Sequence, residues 1–166
     1  MSTATQSLMK DPQREMLRHV VATLAYRAGK TLRGVPESFA DFRASEHTRK
    51  PVEILAHMGD LADWALSIVS GNQKWNDSKP LLWSKEVERF FAALQALDAY
   101  LASDKPLHGD VKKLFQGGLA DALTHTGQIA LLRGIAGCPM RGENYYAAKI
   151  EAGRVGIEQA APVREF

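Results

Sequence analysis

An acid, an imidazole and an amide (Asp121, His125 and Gln128) follow one another at helical spacing in the segment ADALTHTGQIALLR, residues 120–133. At about 100° per residue they share, with Leu114 and Leu132, a strip roughly 60° wide near the centre of one apolar face. Side chains at i and i+4 project together, so Asp121 and His125 can chelate one ion. His57 supplies a second imidazole. On the segment PVEILAHMGDLADWALSIV it lies in line with Leu61, Trp64 and Ile68, at the edge of a face centred near Leu61 and Ala65. Asp60 and Asp63 fall outside that face and are expected in solvent.

Two imidazoles and a carboxylate suit Zn²⁺, Fe²⁺ or Ni²⁺, with coordination positions left open. A buried, unpaired aspartate costs several kcal/mol, and a divalent cation would remove that cost. Gln128, one turn further on, is placed to donate to a bound ligand or to hold Asp121. Gly117, Gly118 and Gly127 would let a neighbouring helix or a substrate come close. A second reading stays open, in which Asp121 and His125 form a satisfied buried pair and His57 is a core-edge imidazole. The D-x-x-x-H spacing is common by chance, so spacing alone favours this plainer reading. His19 maps to the surface, and His47 and His108 to loops. No E-x-x-H occurs, so the ferritin-like di-iron pattern is absent.

Four segments with a 3.6-residue rhythm must position these groups, and no stretch alternates like a strand. The first opens at Asp11-Pro12, a cap followed by a proline at the first helical position. It carries Met16, Leu17, Val20, Val21 and Leu24 on one face and stops by Gly34. The second runs from Pro51 to a glycine cap at Gly71, with Ile54, Met58, Leu61, Ala65 and Ile68 inward. The third begins near Ser84 and carries Val87, Phe90, Phe91, Leu94, Leu97 and Leu101. The fourth spans about Gly109 to Ala136, where Gly137 and Pro139 end it. Phe90, Phe91 and Trp64 read as core, Trp83 as a cap-packing residue and Trp75 as a loop residue. Together these describe one all-α domain over residues 1–166, a four-helix antiparallel bundle at about 12–137 with a C-terminal extension, 138–166.

The composition agrees with this frame. The chain has 166 residues, 45% hydrophobic and 24% charged, enough for one core. A net charge of +2 without a basic run excludes the electrostatic footprint of a nucleic-acid binder. The single cysteine, Cys138, excludes an internal disulfide and fits a reducing compartment. The first residues hold no apolar leader core, and no apolar run reaches membrane length, so a soluble cytoplasmic protein is the expectation.

The same segments resemble a known family. KPVEILAHMGDLADWALS resembles the second helix of the DinB/YfiT-like bundle superfamily, whose inward histidine lies near that helix's start. ADALTHTGQIALLR resembles its signature segment, where a histidine precedes a Gly-Gln pair and a leucine-rich turn with arginine. WSKEVERFFAALQALDAYL is similar to the family's third helix, and the tail GENYYAAKIEAGRVG is similar to a subfamily extension. The resemblance implies a mononuclear metal held by three histidines, one from the second helix and two from an H-x-x-x-H in the last. His57 and His125 match by position, while the first histidine of that pair is Asp121 here. The resemblance tips the balance toward a metal site.

It also implies a metal-dependent enzyme, either an S-transferase using a low-molecular-weight thiol or a hydrolase of small molecules. In that class His57, Asp121 and His125 hold the metal, while Gln128 and the tail residues Asn144 and Tyr145 contact the substrate. The other class of function is a non-catalytic bundle that binds a metal, a small molecule or a partner. A two-fold homodimer is expected, mainly from the resemblance and partly because Leu119 and Leu123 point away from the polar strip.

Overall fold

Asp11 accepts a hydrogen bond from the Gln13 amide at 2.9 Å, and Pro12 takes the first helical position, so α1 runs over Pro12–Leu32. The computed structural model describes residues 11–166. The buried face of α1 is Leu17, Val21, Leu24, Ala25 and Ala28, whereas Met16, expected on it, is 64% exposed. A short 3₁₀ turn, Glu37–Asp41, puts Phe39 edge-on against Trp83. α2, Pro51–Val69, starts where the Glu53 carboxylate accepts from the Lys50 amide, and it ends before Gly71 at φ +81°, a conformation glycine adopts freely. α3 covers Trp83–Ala102 and buries Phe90, Phe91, Leu94, Leu97 and Leu101.

The last rod has three parts. α4, Val111–Leu114, passes through a single π turn, Phe115–Leu119, into α5, Ala120–Ile135, with no break in helical backbone. The sequence reading treats this stretch as one regular α-helix, and the π turn is a correction to it. A π turn holds more residues than an α turn, so Leu114 and Asp121 do not keep the phase that uniform spacing assigns them. Leu114 is buried, but the polar strip on α5 lies at the edge of the apolar face rather than at its centre.

The architecture is all-α, with no strand among the described residues. α1 and α2 each pack against both α3 and α5, around a core that includes Leu17, Leu55, Met58, Phe90, Leu94 and Ile129. Leu119 is part of this core and Leu123 packs against it half-buried, so the apolar coverage offered as an argument for a dimer is used within the chain. No described helix is long and apolar enough to cross a membrane.

The segment after α5 is clasped to the bundle without forming a helix of its own. Glu143, fully buried at its side chain, accepts from the Tyr26 hydroxyl at 2.6 Å and from Lys30 Nζ at 2.8 Å. Lys30 also reaches Glu165, and Arg133 donates to the carbonyls of Thr31, Arg33 and Cys138. Burial, and then the Glu143 hydrogen bond, hold the Tyr26 phenol well above its ordinary range.

Candidate metal centre

α2 carries His57 toward α5, and α5 carries Asp121 and His125 one turn apart, facing it. One oxygen of Asp121, Oδ2, lies 3.5 Å from His57 Nε2 and 3.4 Å from His125 Nε2. The two imidazole rings meet nearly at right angles with centroids 4.9 Å apart. Each residue offers one ligand atom, and these atoms lie within 4.8 Å of one another. This group could hold a metal ion.

Gln128 lines the cavity beside this cluster but does not hold Asp121. Its Oε1 lies 2.7 Å from His125 Nδ1, so the amide neither holds Asp121 nor points into the cluster. With Oε1 as acceptor, Nδ1 carries the ring proton and Nε2 is left with its lone pair turned toward Asp121 and His57. On the other flank the Trp75 ring stands edge-on to His57 at 5.6 Å, and Trp64 stands against Trp75 at 6.0 Å.

The cluster gathers two imidazole nitrogens and a carboxylate oxygen, each able to act as a ligand atom. The Asp121–histidine separations exceed good hydrogen-bond lengths. A cation placed among the three atoms would satisfy all of them. Asp121 is, however, 45% exposed at its side chain, His57 25% and His125 11%. The expectation of a charge sealed in the seam is therefore corrected. Water reaches the carboxylate because the strip sits at the rim of the apolar face, and no large burial penalty calls for a metal.

The cluster forms one wall of an open cavity of about 530 Å³. Thr48 and Arg49, from the link before α2, stand at its rim, and Ile54, Leu131 and Leu132 make the apolar part. Ile54 and Leu132 read as inward-facing from the sequence, but Thr48, Arg49 and Leu131 are not singled out by it. The available signal was position, since residues just before Pro51 must lie near the end of α2 from which His57 projects. Gly117 and Gly118 lie against Trp64 and Ala65, but a methyl at either would make ordinary contact, and Gly127 faces open space. Close approach therefore does not demand these glycines.

Asn144 and Tyr145 do not line this cavity. The Asn144 amide donates to the Arg164 carbonyl, and Tyr145 packs edge-on to Tyr26 with the Arg27 guanidinium 4.4 Å from its ring centre. The structure brings together four of the six residues named as site candidates, while Tyr145 packs on α1 and Asn144 is bonded within the C-terminal segment. His19, His47 and His108 are exposed, as expected.

Asp60 is the clearest correction. It is 2% exposed, accepting from the Ser78 amide at 2.9 Å and from Arg89 Nη1 at 3.0 Å. Arg89 Nε donates to Glu86, whose fully buried carboxylate also accepts from the Leu81 amide. The guanidinium crosses α2 at Gly59, where a Cβ would meet it at 2.7 Å. Asp63, 3.5 Å from the same guanidinium, is half-exposed, in line with its expected place at the surface. Burial raises its carboxyl pKa, Arg89 opposes the rise and Asp60 adds to it.

Comparison with protein-family models, curated proteins and solved structures finds no match to this chain.

Proposed function

We propose that His57, Asp121 and His125 form a mononuclear divalent-metal centre, with Zn²⁺, Ni²⁺ or Fe²⁺ as the ion. We further propose that the cavity beside it admits a small molecule for chemistry at that ion. The observation that carries this reading is the convergence of three candidate ligand atoms within 4.8 Å of one another, with His125 oriented by Gln128 so that its lone pair faces the other two. Paired orientation of a ligating imidazole by an outer partner is the usual construction of metal sites. The DinB/YfiT-like resemblance adds the reaction class, a thiol-dependent S-transferase or a hydrolase, and the cytoplasmic homodimer; the comparisons lend it no support.

Within this reading each side chain has a task. His57 and His125 hold the ion as neutral donors, and Asp121 supplies the anionic ligand. Gln128 keeps His125 in the Nδ1-protonated form. Trp75 limits the freedom of His57, and Ile54, Leu131 and Leu132 remove water from one side of an incoming molecule. The ion itself would supply Lewis-acid polarisation or stabilisation of a thiolate. The cavity separates this reading from a purely structural polar network, since a sealed Asp121–His125 hydrogen bond would leave nothing open to a ligand.

Elemental analysis of protein purified without a metal-affinity step, followed by Zn²⁺ titration, tests the reading. One ion per chain is expected. At a hundredfold excess of ion over its dissociation constant, binding adds about 2.7 kcal/mol of stability, which chelator removes. Asp121→Asn should abolish tight binding while melting like the metal-free wild type. Equal melting of wild type with and without chelator, together with unchanged metal uptake by Asp121→Asn, would overturn the proposal and leave a structural network in its place.

A further inference from the structure

Arginines in this protein are nearly all engaged. Arg14, Arg18, Arg33 and Arg43 donate hydrogen bonds to carbonyls or a carboxylate, as do Arg89 and Arg133. Arg141 and Arg154 form ion pairs, and Arg27 lies over Tyr145. Arg49 and Arg164 have no such partner among the described residues, and of the two it is Arg49 that lines the cavity walled by the metal cluster. A guanidinium is a rigid fork of donors matched to carboxylate and phosphate oxygens, so an unengaged one beside a cavity is a binding group in waiting.

Its position is built rather than incidental. The link carrying it is ordered by its own hydrogen bonds: the Ser45 amide donates to Thr48 Oγ1, and Arg43 donates to the Thr48 carbonyl. Lys50 is tied to Asp41 at one end and to Glu53 through its amide. Pro51 then holds Lys50 in extended backbone, with ψ at 150°. Arg49 sits between these anchors.

The acids around it are taken, save Asp77 and Asp121. Glu53 is committed to Lys50 and Arg43, and Asp60 to Ser78 and Arg89. Asp77, without a partner among the described residues, shares with Arg49 a shallower recess beside His57. In the main cavity the only carboxylate is Asp121. A divalent ion bound there more than neutralises it, and with Arg49 the cavity becomes a net positive chamber with an apolar side.

We propose that this cavity selects a small organic anion, whose carboxylate docks on Arg49 while its metal-binding end faces His57, Asp121 and His125 and its short carbon chain lies on Ile54, Leu131 and Leu132. The inference rests on the metal-centre reading and names its ligand class.

The test uses cobalt-loaded protein and three thiols of similar length: mercaptopropionate, mercaptoethanol and cysteamine, which end in a carboxylate, a hydroxyl and an ammonium. Thiolate-to-cobalt absorption reports binding of each. The expected order is anion, then neutral, then cation, with mercaptopropionate about tenfold tighter than mercaptoethanol, the size of one charge-assisted contact. Arg49→Gln should bring the first two within about twofold of one another while cobalt affinity stays unchanged, and Asp77→Asn should keep the order. A flat order in the wild type, an order that survives Arg49→Gln or fails in Asp77→Asn, or no thiol binding to cobalt-loaded protein would overturn the inference and leave the metal centre standing. A chain that takes up no cobalt or zinc would fail the metal reading itself and this inference with it.

Discussion

Three residues apart on α2, Asp60 and His57 belong to two polar clusters of opposite character. Around Asp60 every charge is answered. Arg89 meets Asp60 and Glu86, and the remaining carboxylate oxygens take the Ser78 and Leu81 amides. Around His57 three potential ligand atoms lie within 4.8 Å of one another, with no cationic side chain paired to them. The first cluster uses charge to fasten the 72–82 link to the helices, and nothing in it is free to act. The second leaves lone pairs pointing at a cavity. Saturation, more than burial or charge, separates the structural cluster from the chemical one.

Breaking the closed cluster should produce the largest effect. Arg89→Met leaves the Asp60 and Glu86 carboxylates buried without their cation, and removing one partner of such a group costs about 3–5 kcal/mol. Urea unfolding should show a loss of this size. A loss below ~1 kcal/mol would mean that the two amides suffice and that the cluster is not what fastens the link.

Gln128→Leu should do the reverse, sparing the fold and weakening the site. Loss of an outer partner to a ligating histidine costs roughly 10- to 100-fold in metal affinity. Gln128 is exposed, so stability should move by less than ~0.5 kcal/mol. Calorimetric titration with Zn²⁺ beside a melting curve reads both quantities, and unchanged affinity would show that His125 needs no orienting partner.

Asp63 lies at the margin of the closed cluster and should give the smallest effect. Its raised pKa means that the folded chain binds this proton more tightly than the unfolded chain. Its contribution therefore favours the fold below the ordinary carboxylate range, near pH 4, and is lost as pH rises through the raised value. Asp63→Asn should be equal to or slightly more stable than wild type at neutral pH, by under ~0.5 kcal/mol after solvent screening, with the difference vanishing in acid. Stability curves at pH 3 and pH 7 check it, and a variant markedly weaker at pH 7 would reverse the sign.

The helices were readable because their caps and apolar rhythm are local. Asp11-Pro12, Pro51 and Gly71 mark ends that the structure keeps. The relation of His57, Asp121 and His125 was also readable, since Asp121 and His125 both lie in the regular stretch past the π turn. Asp60 was not. Its partner Arg89 is on another helix, and a carboxylate off the apolar arc looks the same whether it meets water or a guanidinium. Gly59, which makes room for that guanidinium, gives no sign of its purpose in one sequence. Asn144 and Tyr145 failed for a similar reason, because a tail without rhythm says nothing about which face it crosses. Arg49 escaped notice because an exposed loop arginine becomes informative only once its neighbours are seen to be engaged.

The π turn at Phe115–Leu119 has a consequence for how this rod tolerates change. Such a turn is, in effect, an α-helix carrying a spare residue. The two ends of the rod are thereby wound out of step, so α4 can be cut to suit the core at Leu114 while α5 is dialled separately to aim Asp121 and His125. Excising that spare residue would leave a plain α-helix whose two ends still face as they do now, whereas a one-residue insertion or deletion in the regular stretch of α5 before Asp121 would swing the site by about 100° relative to α4. The turn is thus the one place on the rod where a residue can be lost without re-aiming the site.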